Sequence, residues 1–210
     1  DGGSRVAVID QVVTDRYALF NGDCMEVMPT LPDGSVHLSV YSPPFAGLYH
    51  YSSSERDLSN CKDYDEFFRH WDYFVPELYR VMMPGRVMAV HCMDLPSTLQ
   101  WDGVIGLKDF PGDILRSFQR HGFIYHGKMM IWKDPLLAAV RTHALGLAHQ
   151  QLVKDSAICR PGIADYILLV RKPGKNPVPI PHPHGLTKYS GNPDPGADQS
   201  GDKKSHFRWR

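Results

Sequence analysis

The chain has 210 residues, 42% hydrophobic and 22% charged, with a formal net charge of zero. That length carries one substantial core, and the neutral balance announces no nucleic-acid partner, although a local basic patch can sit on a neutral molecule. Four scattered cysteines (Cys24, Cys61, Cys92, Cys159) and eleven histidines without metal-ligand spacing exclude a zinc ribbon or a disulfide scaffold, and no apolar run reaches the roughly 20 residues of a membrane helix.

Residues 17–20 predict a buried strand, stopped by Asn21-Gly22-Asp23, with Asp23 placed to cap a short helix through 24–28. A second strand, 36–41, runs directly into Ser42-Pro43-Pro44-Phe45, and a polar, aromatic loop follows over 46–62. Asp63 and Glu66 have the spacing of a capping box. Phe67, Trp71, Phe74, Leu78, Val81 and Met82 then recur at helical intervals. Pro76 predicts a kink or restart in that helix, since it brings no amide donor and crowds the preceding turn. Pro84-Gly85 ends it before a strand at 87–90. Asp94, just beyond, is either a helix cap or a residue approaching a ligand. A helix over 112–120 ends at His121-Gly122, a strand follows at 123–132, then a helix over 136–152 and a strand over 165–170. Alternating helices and short apolar strands predict an α/β fold with a largely parallel sheet.

Beyond Arg171 the texture changes. Seven of the 17 prolines fall between positions 173 and 195, among basic residues that outnumber the acidic ones. The expected division is a domain over 1–172 and a proline-rich basic linker, or the start of a recognition region, over 173–210. The opening Asp1-Gly2-Gly3-Ser4 is not a natural initiator, so the sequence is expected to be part of something longer.

The strand exit at Ser42-Pro43-Pro44-Phe45 carries the most chemistry. In open sheets, ligands bind beyond the carboxyl ends of the strands. Two prolines stiffen the backbone and withdraw their own donors, so the segment presents carbonyls. A hydroxyl, a rigid carbonyl and an aromatic face suit an exocyclic amine on a flat ring, held with its lone pair toward an electrophilic methyl group. A stiffened strand exit with a packed phenylalanine fits the tetrapeptide alone equally well.

Phe20-Asn21-Gly22-Asp23-Cys24-Met25-Glu26-Val27-Met28, then Ser42-Pro43-Pro44-Phe45, then Pro76-Glu77-Leu78-Tyr79-Arg80-Val81-Met82-Met83-Pro84-Gly85, together resemble a DNA amino-methyltransferase of the permuted kind, in which the catalytic motif precedes the cofactor motif. Trp132-Lys133-Asp134-Pro135, Arg141-Thr142-His143-Ala144-Leu145-Gly146-Leu147 and Asp165-Tyr166-Ile167-Leu168 resemble phage and mobile-element members. The resemblance implies a Rossmann-like S-adenosylmethionine-dependent methyltransferase sheet, double-stranded DNA as partner and a cytoplasmic setting. Dimers are common among such enzymes, though no residue here demands one. It also implies that Ser42, Pro43 and Pro44 form the catalytic motif, with Phe45 stacking on the base. Asp23 would accept from the adenine amine of S-adenosylmethionine, a role compatible with capping a helix. Serine at the head of the motif favours cytosine N4 over adenine N6. Tyr49, His50, Tyr51 and Arg56 would be surface or lid residues, or contacts to the nucleotide.

One departure matters. These enzymes hold the cofactor on a glycine-rich turn, and no Gly-x-Gly occurs anywhere in this chain. The sheet is therefore expected to be incomplete, or the chain to be a DNA-binding remnant without catalysis. Methylation of protein glutamine or RNA is a further alternative, though asparagine usually leads the motif in the glutamine enzymes.

Overall fold

A computed structural model describes residues 8–97, 99–104, 106–134, 164–183 and 185. The helix expected over 136–152 lies outside these residues, as does the end of the chain. The described part opens with a hairpin of β1 (Asp10–Val13) and β2 (Ala18–Asn21), antiparallel to one another. Thr14 fastens its turn, the hydroxyl accepting from the amides of Arg16 and Tyr17. The expectation that residues 17–20 form a buried strand is corrected here. Leu19 is 61% exposed, because the strand pairs only within a two-stranded ribbon and most of its side chains face solvent.

Helix α1 (Cys24–Val27) starts at Asp23, whose carboxylate accepts from the Met25 amide at 2.8 Å. A 3-10 turn, Met28–Thr30, follows and is fixed from a distance. Arg80 donates to the carbonyls of Met28 and Leu31 and pairs with Asp33. Strand β3 is shorter than expected, Ser39–Tyr41, with Val36 making an isolated bridge to Met82.

Helix α2 (Tyr64–Val81) begins as its spacing predicts. Asp63 accepts from the Glu66 amide at 2.7 Å, and Glu66 reaches back to the Lys62 amide. It runs through Pro76 without restarting. Phe67, Trp71 and Val75 before the proline and Leu78 and Val81 after it are buried in one core, so packing outweighs the single backbone bond that proline forfeits. At its far end Lys172 donates to the carbonyls of Tyr79 and Met82, groups that a helix terminus leaves without partners. Gly85, at φ +76°, closes the turn. A Cβ there would come within 2.7 Å of the Asn176 amide, so the position tolerates only glycine.

Strand β4 (Val87–Met93) extends three residues past the expected end. It leads through Asp94 into β5 (Leu95–Ser97), so the expected helix-cap role of Asp94 is not what forms. Helix α3 (Leu99–Asp102) and strand β6 (Gly106–Lys108) follow, the latter antiparallel to β5. Helix α4 (Phe110–Arg120) starts two residues early, because Asp109 caps it by accepting from the Gly112 amide. Strands β7 (Ile124–Ile131) and β8 (Asp165–Arg171) complete the described elements.

The main sheet has the order β3-β4-β8-β7, with β3 parallel to β4 and β8 antiparallel to both its neighbours. Strands β3, β4 and β7 thus run the same way and β8 is inserted against them. This corrects the expected largely parallel sheet to a mixed one. Met88, Val90 and Cys92 of β4 and Leu168 and Val170 of β8 join the core with Phe67, Trp71, Phe110, Ile114 and Phe118 from the two long helices. Burial pushes the Cys92 thiol up to about 12. The intervening residues of β4, Val87, Ala89 and His91, are only half-buried.

The chain divides into compact units at Asp1–Pro177 and Val178–Arg210. Of the second, residues 178–183 and 185 are described, with a turn closed by the Gly185 amide on the His182 carbonyl.

Candidate active site

Because β8 is inserted antiparallel, its amino end lies at the same edge of the sheet as the carboxyl ends of β3, β4 and β7. Four polar side chains gather there. Ser42 leaves β3 next to His91, since Tyr41 pairs with Val90 in the parallel register. Asp165 opens β8 opposite Met93, diagonal to His91 and on the same face. Lys133 lies just beyond β7. The Ser42 hydroxyl is 3.1 Å from the His91 carbonyl and 3.3 Å from its Nδ1. His91 Nε2 is 3.0 Å from Asp165 Oδ2, and Lys133 Nζ is 2.6 Å from Asp165 Oδ1.

Exposure within the cluster is graded. Ser42 is exposed, His91 is half-buried and Asp165 is buried. The Asp165 side chain is 13% exposed and has a basic neighbour at each oxygen, the His91 ring hydrogen-bonded at Oδ2 and the Lys133 ammonium ion-paired at Oδ1.

The predicted motif is split by depth. Pro43 is buried, Pro44 half-buried, and Phe45 sits in the core at 8% exposure. The Phe45 ring meets Phe110 edge-on at 6.1 Å and tilts against His91 at 5.9 Å. In this structure, then, Phe45 anchors the motif rather than presenting an open face. The chain next turns sharply at Ala46 (φ +38°) and Gly47 (φ +83°), closed by the Leu48 amide on the Phe45 carbonyl. Left-handed alanine is strained by roughly 1 kcal/mol, and strain of this kind tends to collect where a loop must be aimed.

Asp23 is not free. Besides capping α1, its Oδ2 pairs with Arg56 Nε at 2.7 Å, while Arg56 Nη1 holds Glu26 at 2.6 Å. Arg56 thereby ties the loop after the motif to α1. The remainder of that loop bonds to itself: Asn60 donates to the carbonyls of Ser52 and Ser54, and His50 meets Asn60 at 3.1 Å. Tyr49 and Tyr51 are left exposed. Asp94 lies apart from the Ser42 group in its electrostatics. Burial, and then Asp109, push its carboxyl up.

Sequence reasoning singled out Ser42 but missed His91, Asp165 and Lys133 as site residues. The available signal was modest: a histidine near the end of a strong apolar strand and an aspartate opening the last one. The trio of hydroxyl, imidazole and carboxylate invites comparison with a nucleophilic serine. Pro43 and Pro44, however, supply no amide N–H beside Ser42, so the donor that normally sits next to such a nucleophile is missing. What the strand exit offers is acceptance, by a hydroxyl oxygen and the following carbonyl.

No protein-family model matches the chain. A stretch of 78 residues, 37% of this chain, is 30% identical to the type II methyltransferase M.BamHI of Bacillus amyloliquefaciens, covering 18% of that protein. Among solved structures, TTHA0409 of Thermus thermophilus, described as a putative DNA modification methylase, is 25% identical with a TM-score of 0.52 over 76% of this chain and 55% of its own. The PvuII DNA methyltransferase, cytosine-N4-specific, gives a TM-score of 0.50 at 16% identity, over 72% of this chain and 49% of its own. The chain thus spans about half the length of these structures and less than a fifth of the curated relative. Over that span it has the Rossmann-like α/β fold of the S-adenosylmethionine-dependent methyltransferases.

Proposed function

We propose that this chain is the catalytic part of a DNA methyltransferase that moves a methyl group from S-adenosylmethionine to an exocyclic base amine, cytosine N4 in preference to adenine N6. The observation that carries this reading is the exposed Ser42 hydroxyl at the carboxyl end of β3, followed by two residues that cannot donate. Such a strand exit accepts hydrogen bonds from an amine and repels nothing on it. Likeness to a type II methyltransferase and to a cytosine-N4 enzyme supports the same direction. The permuted order, catalytic motif before cofactor motif, accords with Ser42 following the first strand of the main sheet.

Asp23 fits one contact to the cofactor. Its carboxylate spends one oxygen on the Met25 amide and the other on the exposed Arg56, and retains lone pairs for an adenine amine. When bound, S-adenosylmethionine supplies an electrophilic methyl group. Everything else falls to the protein: Ser42 and the Pro43 carbonyl orient the amine, and the buried Phe45 ring fixes the strand exit that carries them. In duplex DNA the amine is stacked and paired, so the base must be extruded to reach Ser42. The basic tract beyond residue 171 would follow phosphates, adding affinity that falls with salt.

A second reading, a DNA-binding protein without catalysis, draws on the absence of any Gly-x-Gly. Incubating the longest natural chain containing this segment with DNA and S-adenosylmethionine, then identifying nucleosides by mass spectrometry, separates the two. N4-methylcytosine is the expected product, and N6-methyladenine would keep the enzyme but change the base. A folded protein that binds DNA and leaves every nucleoside unmethylated would sustain the second reading.

A further inference from the structure

Methyl transfer to an amine leaves a proton to dispose of, and the residues behind Ser42 bear on where it goes. The Ser42 hydroxyl has one hydrogen and three acceptors within reach, the His91 carbonyl at 3.1 Å, His91 Nδ1 at 3.3 Å and, longest, the Pro43 carbonyl at 3.5 Å. A carbonyl only accepts, so the two shorter contacts, both to His91, describe two settings of one hydroxyl. With the hydrogen on the carbonyl, Nδ1 must carry a proton and donate to Oγ. Nε2 needs one as well, since it faces a carboxylate oxygen at 3.0 Å, so the ring is an imidazolium. With the hydrogen on Nδ1, the ring is neutral, Nε2–H points at Asp165, and both lone pairs of Oγ are turned outward. The second setting is the one an amine can use.

We propose that His91 is a relay residue that takes the proton released by the target amine through Ser42, oriented by Asp165 and Lys133. The inference rests on the methyl-transfer reading above. A nitrogen–carbon bond forms, the carbon–sulfur bond breaks with its electron pair left on sulfur, and the nitrogen becomes positive. One N–H proton passes to Ser42 Oγ while the Ser42 hydrogen passes to His91 Nδ1. The imidazolium is met by Asp165 Oδ2, and Lys133 holds the other carboxylate oxygen so that Oδ2 keeps facing the ring. His91 is half-buried and 34% exposed at its side chain, so it can return the proton to solvent before the next turnover. The groups facing His91 are Ser42 from β3, Asp165 from β8 with Lys133 behind it, and the uncharged Phe45 ring. Acidification therefore closes the site in a defined way: a protonated ring donates to Oγ and removes one of the lone pairs that the amine needs.

The test uses the longest natural chain carrying this segment, in single-turnover methyl transfer across pH. His91→Gln preserves size and hydrogen bonding but takes no proton. It is expected to slow transfer about 100-fold, to lose the fall in rate on acidification, and to leave DNA binding unchanged. Members of one relay act as a unit, so Ser42→Ala with His91→Gln should be no slower than Ser42→Ala alone. Nitrogen NMR of the wild-type ring, which needs neither substrate nor turnover, should show the Nε2–H tautomer in the neutral form and decides the matter even where the variant fails to fold. A His91→Gln enzyme with wild-type rate and pH profile, losses that multiply in the double variant, or an Nδ1–H tautomer would overturn the relay and leave the methyltransferase reading standing. A wild-type protein that methylates no base takes both down.

Discussion

Asp23 and Asp165 each hold a basic side chain near a strand end, yet they sit in opposite surroundings. Asp23 lies after the exposed β1–β2 ribbon, and its partner Arg56 has a side chain 59% exposed on a self-bonded loop. Solvent screens that pair, and exposed pairs contribute about 0–1 kcal/mol. Asp165 is inserted between β4 and β7 and is nearly closed off from water, with His91 on one oxygen and Lys133 on the other. Removing one member of such a group strands the others in low dielectric, which costs far more than the pair is worth when intact. The difference separates two kinds of site. One carboxylate is paired with an exposed loop residue; the other is fixed into the sheet between His91 and Lys133.

The largest effect should come from Asp165→Ala. Leaving His91 and Lys133 without their carboxylate is expected to destabilise the protein by roughly 2–4 kcal/mol, read from the midpoint of denaturant unfolding. A loss below about 0.5 kcal/mol would place Asp165 among ordinary surface residues. Asp23→Ala should cost less, about 1 kcal/mol for a lost helix cap, and weaken S-adenosylmethionine binding in calorimetric titration. A cap loss with no change in cofactor affinity would confine Asp23 to its structural role. Smallest of all is Arg56→Ala, expected to stay within about 0.5 kcal/mol and to leave cofactor affinity equal or tighter, since it frees an oxygen of Asp23. If Arg56→Ala proved as damaging as Asp165→Ala, the contrast between the two sites would collapse.

The legible parts of the molecule were those whose signal is local. The period of Phe67, Trp71, Leu78 and Val81 located α2, and Asp63 and Asp23 marked helix starts through bonds two and three residues long. Ser42-Pro43-Pro44-Phe45 could be raised as a candidate acceptor site because the chemistry proposed for it lies in four adjacent residues. What escaped depends on pairing across distance. His91 and Asp165 are 74 positions apart, and they meet only because β8 enters the sheet antiparallel, which no property of residues 165–170 foretells. The apolar run at 17–20 looked like core because an apolar strand does not state what covers it. Phe45 was assigned to the base by its type, whereas packing against Phe110 draws it inward. This has a practical consequence: Phe45→Ala would mix catalysis with a core cavity, so Ser42→Ala, at an exposed position, is the cleaner probe.

The most direct test of the account is therefore the single-turnover rate of methyl transfer to DNA by wild type and by Ser42→Ala, with DNA affinity and unfolding midpoint measured alongside. A loss of about 100-fold or more is expected for the variant, on the order of one preorganised hydrogen-bonding partner in a transition state, with affinity and stability unchanged. A Ser42→Ala protein that methylates DNA at the wild-type rate would contradict the claim that the end of β3 holds the target amine.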